Sequence, residues 1–283
     1  MKRYDLNHNY LPFWITLFVF LLYNLSLYAA TLEETFKKRI PFQEGGYLEL
    51  KNSNGRVEIK SWDKSEVEIV AFKRVQAAGK EQAEEWMNNL KIEVTHTSDQ
   101  IVIETIAPHS MKSGGGFFNW LFGNGMHSYS VEYEIMVPKS IDMNIATTNG
   151  KIYCEQIKGR LRLHSTNGKI TGREIEGLVR CKSTNGSIDL EFLSVQPDEE
   201  INISTTNGSI RLHMPENFGA NIDLKTTNGN IDSDYPLTVE KSWSKQHQIG
   251  KIGAGGATLV CHTTNGSIHL YSGGQGMGED FSM

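Results

Sequence analysis

The sequence predicts an all-β protein whose main part is a parallel β-solenoid of six or seven laps. Two observations favour this class: a six-residue motif, Ser/Thr-Thr-Asn-Gly-x-Ile, recurs along the chain, and apolar and polar residues alternate on both sides of it. Repeats at intervals of about 20 residues are typical of stacked arrays. The motif pairs are Asn149-Gly150, Asn167-Gly168, Asn185-Gly186, Asn207-Gly208, Asn228-Gly229 and Asn265-Gly266, with a weaker upstream copy at Asn54-Gly55.

The alternation predicts a strand on each side of every Asn-Gly corner. When the copies are aligned on the motif glycine, the positions seven and five before it and two and four after it are apolar, except at Gly172 and Ser233. The positions between them are mostly polar. A period of two residues is the pattern of a half-buried strand, so each aligned apolar position predicts a column inside the solenoid.

Parallel stacking is favoured over a series of hairpins. An isolated Asn-Gly between two strands usually indicates a tight antiparallel hairpin. Here the same two-sided pattern returns after each short lap, so like strands can stack about 4.8 Å apart. We expect the corner asparagine to tolerate a left-handed backbone and the glycine to be free of steric penalty there. Stacked Asn and Thr side chains would then hydrogen-bond along the column, which makes these pairs structural turns.

The N-terminal residues 1–30 predict a targeting segment. Lys2 and Arg3 precede an uncharged apolar run that ends at Ala30, as in a secretory signal peptide. Tyr28 is large for a cleavage site after Ala30, and the run is about long enough to span a bilayer. A retained membrane anchor is therefore the alternative, and in both cases we expect the chain from Thr31 onward to be exported.

Residues 31–137 predict a β section that carries the first motif copy and one helix, over about residues 80–90. Apolar residues recur there at helical spacing: Ala83, Trp86, Met87 and Leu90. The repeat solenoid is expected over 138–271, followed by a flexible Gly-rich tail at 272–283.

Residues 107–127 break the strand pattern with a Gly-rich aromatic loop. Its aromatic residues are Phe117, Phe118, Trp120 and Phe122. We expect this loop to pack over an open end of the solenoid, because solenoids need caps. Contact with a membrane or a partner is the alternative.

A run of basic residues is the main candidate for ligand binding. The alignment stacks Arg162 on Arg180 and Lys151 on Lys169, and like charges directly opposed cost stability. A ligand with repeating negative charge, such as an anionic polysaccharide or phosphate-bearing lipid head groups, would relieve that repulsion. Screening of these charges by water and salt is the favoured interpretation. The candidate residues are Lys151, Arg162, Lys169, Arg180 and Lys182. The net charge of −5 gives no case for nucleic-acid binding.

Catalytic and metal sites are not predicted. Asp189, Arg211, Asp232 and His269 share one outward column and are the best enzyme candidate, but alternating charge is the ordinary way to stabilise a stacked face. No histidines have zinc-ligand spacing, since His164 and His262 lie four laps apart in chain order. We expect no cofactor and no metal.

The three cysteines, Cys154, Cys181 and Cys261, fall in apolar columns and are expected to be buried. Cys181 and Cys261 share a column, three laps apart in chain order. That separation is about 14 Å, and a disulfide needs Cα atoms within about 7 Å. No disulfide is expected.

The repeated Thr-Thr-Asn-Gly-x-Ile, the secretory N-terminus and the early helix resemble a bacterial family of unknown function that is labelled adhesin by architecture, the toastrack domain. The resemblance covers about residues 45–270. It implies a β-solenoid that is exported or membrane-tethered, and some members are linked to envelope stress systems. It carries over no catalytic residues.

We therefore expect a non-enzymatic, exported cell-envelope protein, an adhesin-like scaffold or binding module that uses a solenoid face. Its partner would be an envelope protein or an anionic envelope polymer, in the periplasm, the envelope or outside the cell. An open solenoid end could also mediate self-association. The alternatives are a carbohydrate-active β-helix enzyme and a membrane-stress component that contacts the bilayer through Phe117–Phe122.

Overall fold

The computed structural model describes residues 30–107, 128–244 and 246–273. The predicted signal segment, the aromatic residues Phe117, Phe118, Trp120 and Phe122, and most of the predicted tail lie outside these ranges. Within them the chain forms 21 strands and one helix.

The strands follow one another closely along the chain. The first group is Ala30–Pro41 (β1), Tyr47–Lys51 (β2), Val57–Trp62 (β3), Glu66–Ala77 (β4), then helix Lys80–Asn89 (α1), Lys91–His96 (β5), Gln100–Ile106 (β6) and Ser128–Pro138 (β7). The second group is Asp142–Thr147 (β8), Ile152–Glu155 (β9), Leu161–Asn167 (β10), Ile170–Glu176 (β11), Val179–Asn185 (β12), Ile188–Ser194 (β13), Glu200–Asn207 (β14) and Ile210–Met214 (β15). The third is Ala220–Asn228 (β16), Ile231–Ser233 (β17), Leu237–Ser244 (β18), His247–Ile252 (β19), Ala257–Asn265 (β20) and Ile268–Ser272 (β21).

These strands form two sheets that meet at the Asn-Gly corners. Sheet A has the order β1-β4-β7-β3-β9-β11-β13-β15-β21-β17, and sheet B has the order β18-β19-β16-β20-β14-β12-β10-β8-β2-β6-β5. Within each sheet the strands that contain or neighbour the motif copies pair in parallel. Both sheets continue past residue 138, because β2 and β3 stack directly on β8 and β9. The predicted all-β parallel solenoid is confirmed.

The core is the space between the two sheets, filled by the predicted apolar columns. Leu163, Ile203 and Ile210 are at most 2% exposed. Most outward residues between them stay half-buried or exposed, with Thr171 and Asp189 as buried exceptions, so the alternation along the strands separates core from surface. Burying these columns is the main source of stability, at about 25 cal/mol per Å² of apolar surface.

The laps do not stack in the order of the chain. The last repeat, β20 and β21, lies between β14–β15 and β16–β17, so Ile203 and Leu224 both pair with Cys261. The hairpin β18–β19 makes this possible. Strand β19 pairs antiparallel with the outer edge of β16, and the chain then returns to the other side of β16 as β20.

The lap separations deduced from chain order are therefore wrong. Cys181 and Cys261 lie two strand steps apart, both beside Ile203, which is about 10 Å rather than three laps. His164 and His262 lie three steps apart rather than four. The thiols of all three cysteines are free and buried.

The motif glycines bring successive backbones into direct contact. A Cβ at Gly168 would lie 1.9 Å from the carbonyl oxygen of Gly150, and one at Gly150 would lie 2.0 Å from that of Gly55. The same clash recurs in every later lap. The expected left-handed asparagine is not found, because the described non-glycine residues with positive φ are Gln156 and Glu174. The motif therefore needs glycine because the backbones of successive laps approach closely there. It does not need glycine to accompany a left-handed asparagine.

The motif asparagines form a continuous hydrogen-bonded ladder along the corner. In each step the carboxamide Nδ2 of one asparagine donates to the Oδ1 of the next, at 2.7–2.8 Å. The ladder runs in spatial order through Asn54, Asn149, Asn167, Asn185, Asn207, Asn265 and Asn228. The ladder therefore ends at Asn228, although Asn265 is the last motif asparagine in the sequence.

A second row of hydroxyls lies inside the corner. In five motifs the first Ser or Thr points inward and donates to the carbonyl oxygen of a neighbouring motif glycine at 2.8–3.2 Å. These donors are Ser165, Ser183, Thr205, Thr226 and Thr263. They satisfy carbonyl groups that the closely stacked corner would otherwise bury without a partner. The hydroxyl of Thr147, in the motif of Asn149 and Gly150, is buried and has no hydrogen-bond partner among the described residues.

Different elements cover the two ends of the solenoid. At one end β1, β4 and β7 pair antiparallel, and α1 packs against β1 and β4 through Ala83, Trp86 and Met87. At the other end the hairpin β18–β19 extends sheet B. The helix lies where the sequence predicts it.

We expect the substitution Gly168→Ala to destabilise the protein by about 2 kcal/mol or more, because the new methyl group overlaps the backbone of the neighbouring lap. Gly79→Ala is the matched control, since a Cβ there meets no atom within 4 Å, and we expect a change of about 1 kcal/mol or less. Urea unfolding followed by circular dichroism measures both. Equal effects would contradict the steric account.

We also expect Asn265→Ala to cost more stability than Asn228→Ala. Asn265 both donates to and accepts from the ladder, whereas Asn228 only donates. Each lost hydrogen bond is worth about 1 kcal/mol. Thermal melts of the two variants test the lap order, since stacking in chain order would make Asn265 the terminal, less costly position.

Candidate functional site

The predicted basic residues divide between two faces of the solenoid. Arg162, Arg180 and Lys182 lie on the outer face of sheet B, with Arg162 directly beside Arg180 in the β10–β12 register. Lys151 and Lys169 follow the Asn-Gly corner and precede the sheet A strands β9 and β11. The structure thus brings three of the five candidates together and places the other two beyond the corner.

The outer face of sheet B contains a broad area without carboxylates, here called the acid-free face. It comprises the outward residues six, four and two positions before the motif glycine in the five laps of β8, β10, β12, β14 and β20. They are Asn144, Ala146, Thr148, Arg162, His164, Thr166, Arg180, Lys182, Thr184, Asn202, Ser204, Thr206, Val260, His262 and Thr264. Five strands at about 4.8 Å spacing give a width of about 19 Å.

Acidic residues stand at the border of this face, where they pair with Arg180 of the face and with Arg160, which lies just outside it. The Nη2 atom of Arg180 lies 3.1 Å from Glu200, and Arg160 binds Asp142 at 2.5 Å. Arg162 and Lys182 make no ion pair with any residue that the structure describes. Exposed ion pairs contribute only about 0–1 kcal/mol, so Arg180 can exchange Glu200 for another anion at little cost.

The sheet A lysines have different surroundings. Lys169 lies 3.2 Å from Asp189, whose side chain is 4% exposed, and Arg173 approaches the same carboxylate at 3.3 Å. Breaking such a pair would leave a buried charge without its partners. Lys169 therefore contributes to holding Asp189 in the fold and is a poor candidate for a ligand contact.

The column proposed as the best enzyme candidate has its charges interleaved. Its spatial order is Asp189, Arg211, His269 and Asp232. Three strand steps separate the two aspartates, about 14 Å, whereas the carboxylate pair of a glycosidase is about 5–10 Å apart. His269 Nδ1 lies 3.4 Å from Asp232 Oδ2. Each aspartate of the column therefore lies beside a basic side chain, Asp189 beside Arg211 and Asp232 beside His269.

The histidines have structural surroundings. His247 and His262 approach the same Oδ1 atom of Asp223, at 3.0 and 3.5 Å, and so connect the neighbouring strands β19, β16 and β20. Burial lowers the pKa of His213, whose ring stacks on Tyr271 at a centroid distance of 4.7 Å. In the described parts of the chain no group of three or more His, Cys, Asp or Glu could hold a metal ion.

The described helix is neither long nor apolar enough to cross a membrane. The candidate membrane or partner contacts Phe117, Phe118, Trp120 and Phe122, like the apolar segment before Ala30, lie outside the described residues.

Sequence reasoning found the stacked arginines but missed the extent of the acid-free face. The sequence feature that could have shown it is the lack of Asp and Glu at the positions six, four and two before the motif glycine in five of the repeats. Chain order places β16, with Asp223, next to β14. Only the observed insertion of β20 removes that carboxylate from the middle of the face.

We expect all three thiols to resist alkylation in the native protein at pH 8. Burial raises the pKa of Cys154 to about 12 and also raises the pKa of Cys181 and Cys261. A raised pKa keeps the thiol protonated at pH 8, and only the thiolate reacts. Mass spectrometry after iodoacetamide treatment should find no label without denaturant and label on all three residues in guanidinium. Rapid native labelling of Cys181 or Cys261 would contradict the burial of their column.

Comparison with solved structures finds chains of similar organisation. A putative cell adhesion protein from Clostridium sporogenes is 13% identical, with a TM-score of 0.46, and the match covers 86% of this chain and 100% of that one. A putative adhesin from Bacteroides fragilis is 10% identical, with a TM-score of 0.36 and coverage of 84% and 97%. At these values the likeness supports no inference about activity.

No curated protein matches the sequence. The family model described as Toastrack DUF4097 matches residues 39–271. That range contains all seven Asn-Gly laps and extends from the end of β1 to Tyr271 in β21. The chain therefore belongs to the toastrack family DUF4097.

Proposed function

We propose that this protein is a non-enzymatic, exported cell-envelope module that binds an anionic envelope polymer on the acid-free face. The observation that carries the proposal is the direct stacking of Arg162 on Arg180 within an area of five laps that has no carboxylate. Like charges in register repel, and a bound polyanion would remove that cost.

The charge distribution supports this choice of face. The whole chain carries a net charge of −5, so a wide area that lacks Asp and Glu is a local exception. Arg162 and Lys182 have no acidic partner among the described residues, which leaves them available to a ligand. Salt screens exposed charges over about 10 Å at 0.1 M, so binding on this face should weaken as salt increases.

Export is supported by the N-terminal sequence. Lys2 and Arg3 followed by an uncharged apolar run are typical of a signal peptide. A non-enzymatic role is supported by the distance between Asp189 and Asp232 and by the ion pairs that hold Asp189. Fold alone does not confer an activity, so the proposal depends on the acid-free face itself.

The test is binding of the chain from Ala30 onward, which contains both sheets, to immobilised polygalacturonate at low and high salt. We expect salt-sensitive binding that Arg162→Glu/Arg180→Glu reduces at least 10-fold, because two favourable contacts become repulsive. Lys80→Glu/Lys91→Glu is the matched control. It changes the net charge equally at exposed positions away from the face and should bind like the unaltered protein.

Two results would overturn the proposal. One is the absence of binding at low salt. The other is an equal loss in the two double variants, which would indicate a response to net charge rather than to this face. Circular dichroism spectra of both variants show whether each one keeps its sheets.

A further inference from the structure

We infer that the ligand of the acid-free face is a linear acidic polysaccharide that lies along the solenoid axis, across the strands, with successive sugar units on successive laps. This inference rests on the proposed function and adds the class and direction of the ligand. It is carried by two sets of groups that repeat along the axis, a row of free threonine hydroxyls and the asparagine ladder, and by the cations stacked on two neighbouring laps.

The cations indicate the direction. Arg162 pairs with Arg180 in the β10–β12 register, so these two guanidinium groups adjoin each other on neighbouring laps, and Lys182 lies two residues further along β12. The step between laps is about 4.8 Å, which is close to the length of one sugar unit in an extended chain. Along a single strand the outward groups change instead, from Arg180 to Lys182 to Thr184. A chain laid along the axis therefore meets the two arginines on neighbouring laps.

The second Thr of each motif forms an outward row, here called the threonine row. Its members are Thr148, Thr166, Thr184, Thr206, Thr264 and Thr227. Their hydroxyls make no hydrogen bond within the part of the chain that the structure describes. The hydroxyls of the inner row, such as Thr205, are instead used by glycine carbonyls, at 2.9 Å from Gly186. The fold thus employs the inner hydroxyls and leaves the outer ones for solvent or a ligand.

The asparagine ladder lies directly beside the threonine row, one residue further along each motif. Each carboxamide Nδ2 has two hydrogens, and the ladder uses one of them, as in the 2.7 Å bond from Asn207 to Asn185. The second hydrogen is available for an acceptor. Hydroxyl and amide groups therefore repeat over six laps, whereas the arginine and lysine charges of the acid-free face are confined to β10 and β12.

This combination fits a polysaccharide better than other polyanions. Threonine hydroxyls can both donate and accept, which matches sugar hydroxyls on every unit of a chain. Polyphosphate offers acceptors and charge but no repeated hydroxyl donors. A lipid headgroup would satisfy the cations but would have no reason to follow one row of hydroxyls across the laps.

The test is titration calorimetry of the chain from Ala30 onward with oligogalacturonates of increasing length, with polyphosphate of matched charge and with vesicles containing phosphatidylglycerol. We expect affinity for oligogalacturonates to rise with length until the chain spans the six laps and then to level off. Thr184→Val/Thr206→Val keeps the shape and strand preference of the side chains and removes two hydroxyls. It should weaken oligogalacturonate binding by roughly 2- to 10-fold per hydroxyl and leave polyphosphate binding unchanged.

Thr258→Val is the matched control, since Thr258 is an exposed threonine of β20 outside the row, and it should change neither affinity. If Thr184→Val/Thr206→Val binds every oligogalacturonate as the unaltered protein does, the inference fails while the proposed function stands. Stronger binding to vesicles or polyphosphate than to any oligogalacturonate would also overturn it. If none of the three probes binds, the proposed function fails together with the inference.

Discussion

The close approach of successive backbones at the Asn-Gly corner is the constraint on which the rest of the structure depends. A Cβ atom at the motif glycine would overlap the carbonyl oxygen of the neighbouring lap. The laps can therefore stack closely only because glycine has no Cβ. Once they do, identical asparagines lie at hydrogen-bonding distance, and each Oδ1 but the last receives an Nδ2. Steric fit and the ladder therefore specify the same parallel register.

An exact register turns every position of the repeat into a column. Inside the solenoid the columns are apolar and fill the core, as Ile203 does between Cys181 and Cys261. Outside, equal positions place side chains directly beside each other, so the surface charges either alternate or repel. Asp189 beside Arg211 shows the first case. Arg162 beside Arg180 shows the second, and it is this exception that directs attention to sheet B.

The insertion of the last lap has consequences for the surface as well as for the fold. It puts Val260 and His262 next to Asn202 and Ser204, and so extends the acid-free face by one strand. It also moves Asp223 to the border, where His247 and His262 both approach its carboxylate. Those contacts hold the hairpin β18–β19 to the end of sheet B. The position of β20 between β14 and β16 therefore decides both the width of the acid-free face and which strands form one end of sheet B.

The sequence by itself determined the strands, the inward columns and α1, because these follow from local periodicity and from a motif that repeats. It predicted the burial of Cys154, Cys181 and Cys261 for the same reason, and it identified the stacking of Arg162 on Arg180 because those laps are consecutive. Only the tertiary structure decided the position of the last lap, since β20 could pair with either side of β16 without any change in its own pattern. The tertiary structure also showed why glycine is required, because a Cβ there would clash with a carbonyl oxygen from another lap. It placed Lys169 and Arg180 on different faces, because an Asn-Gly corner lies between the two sheets.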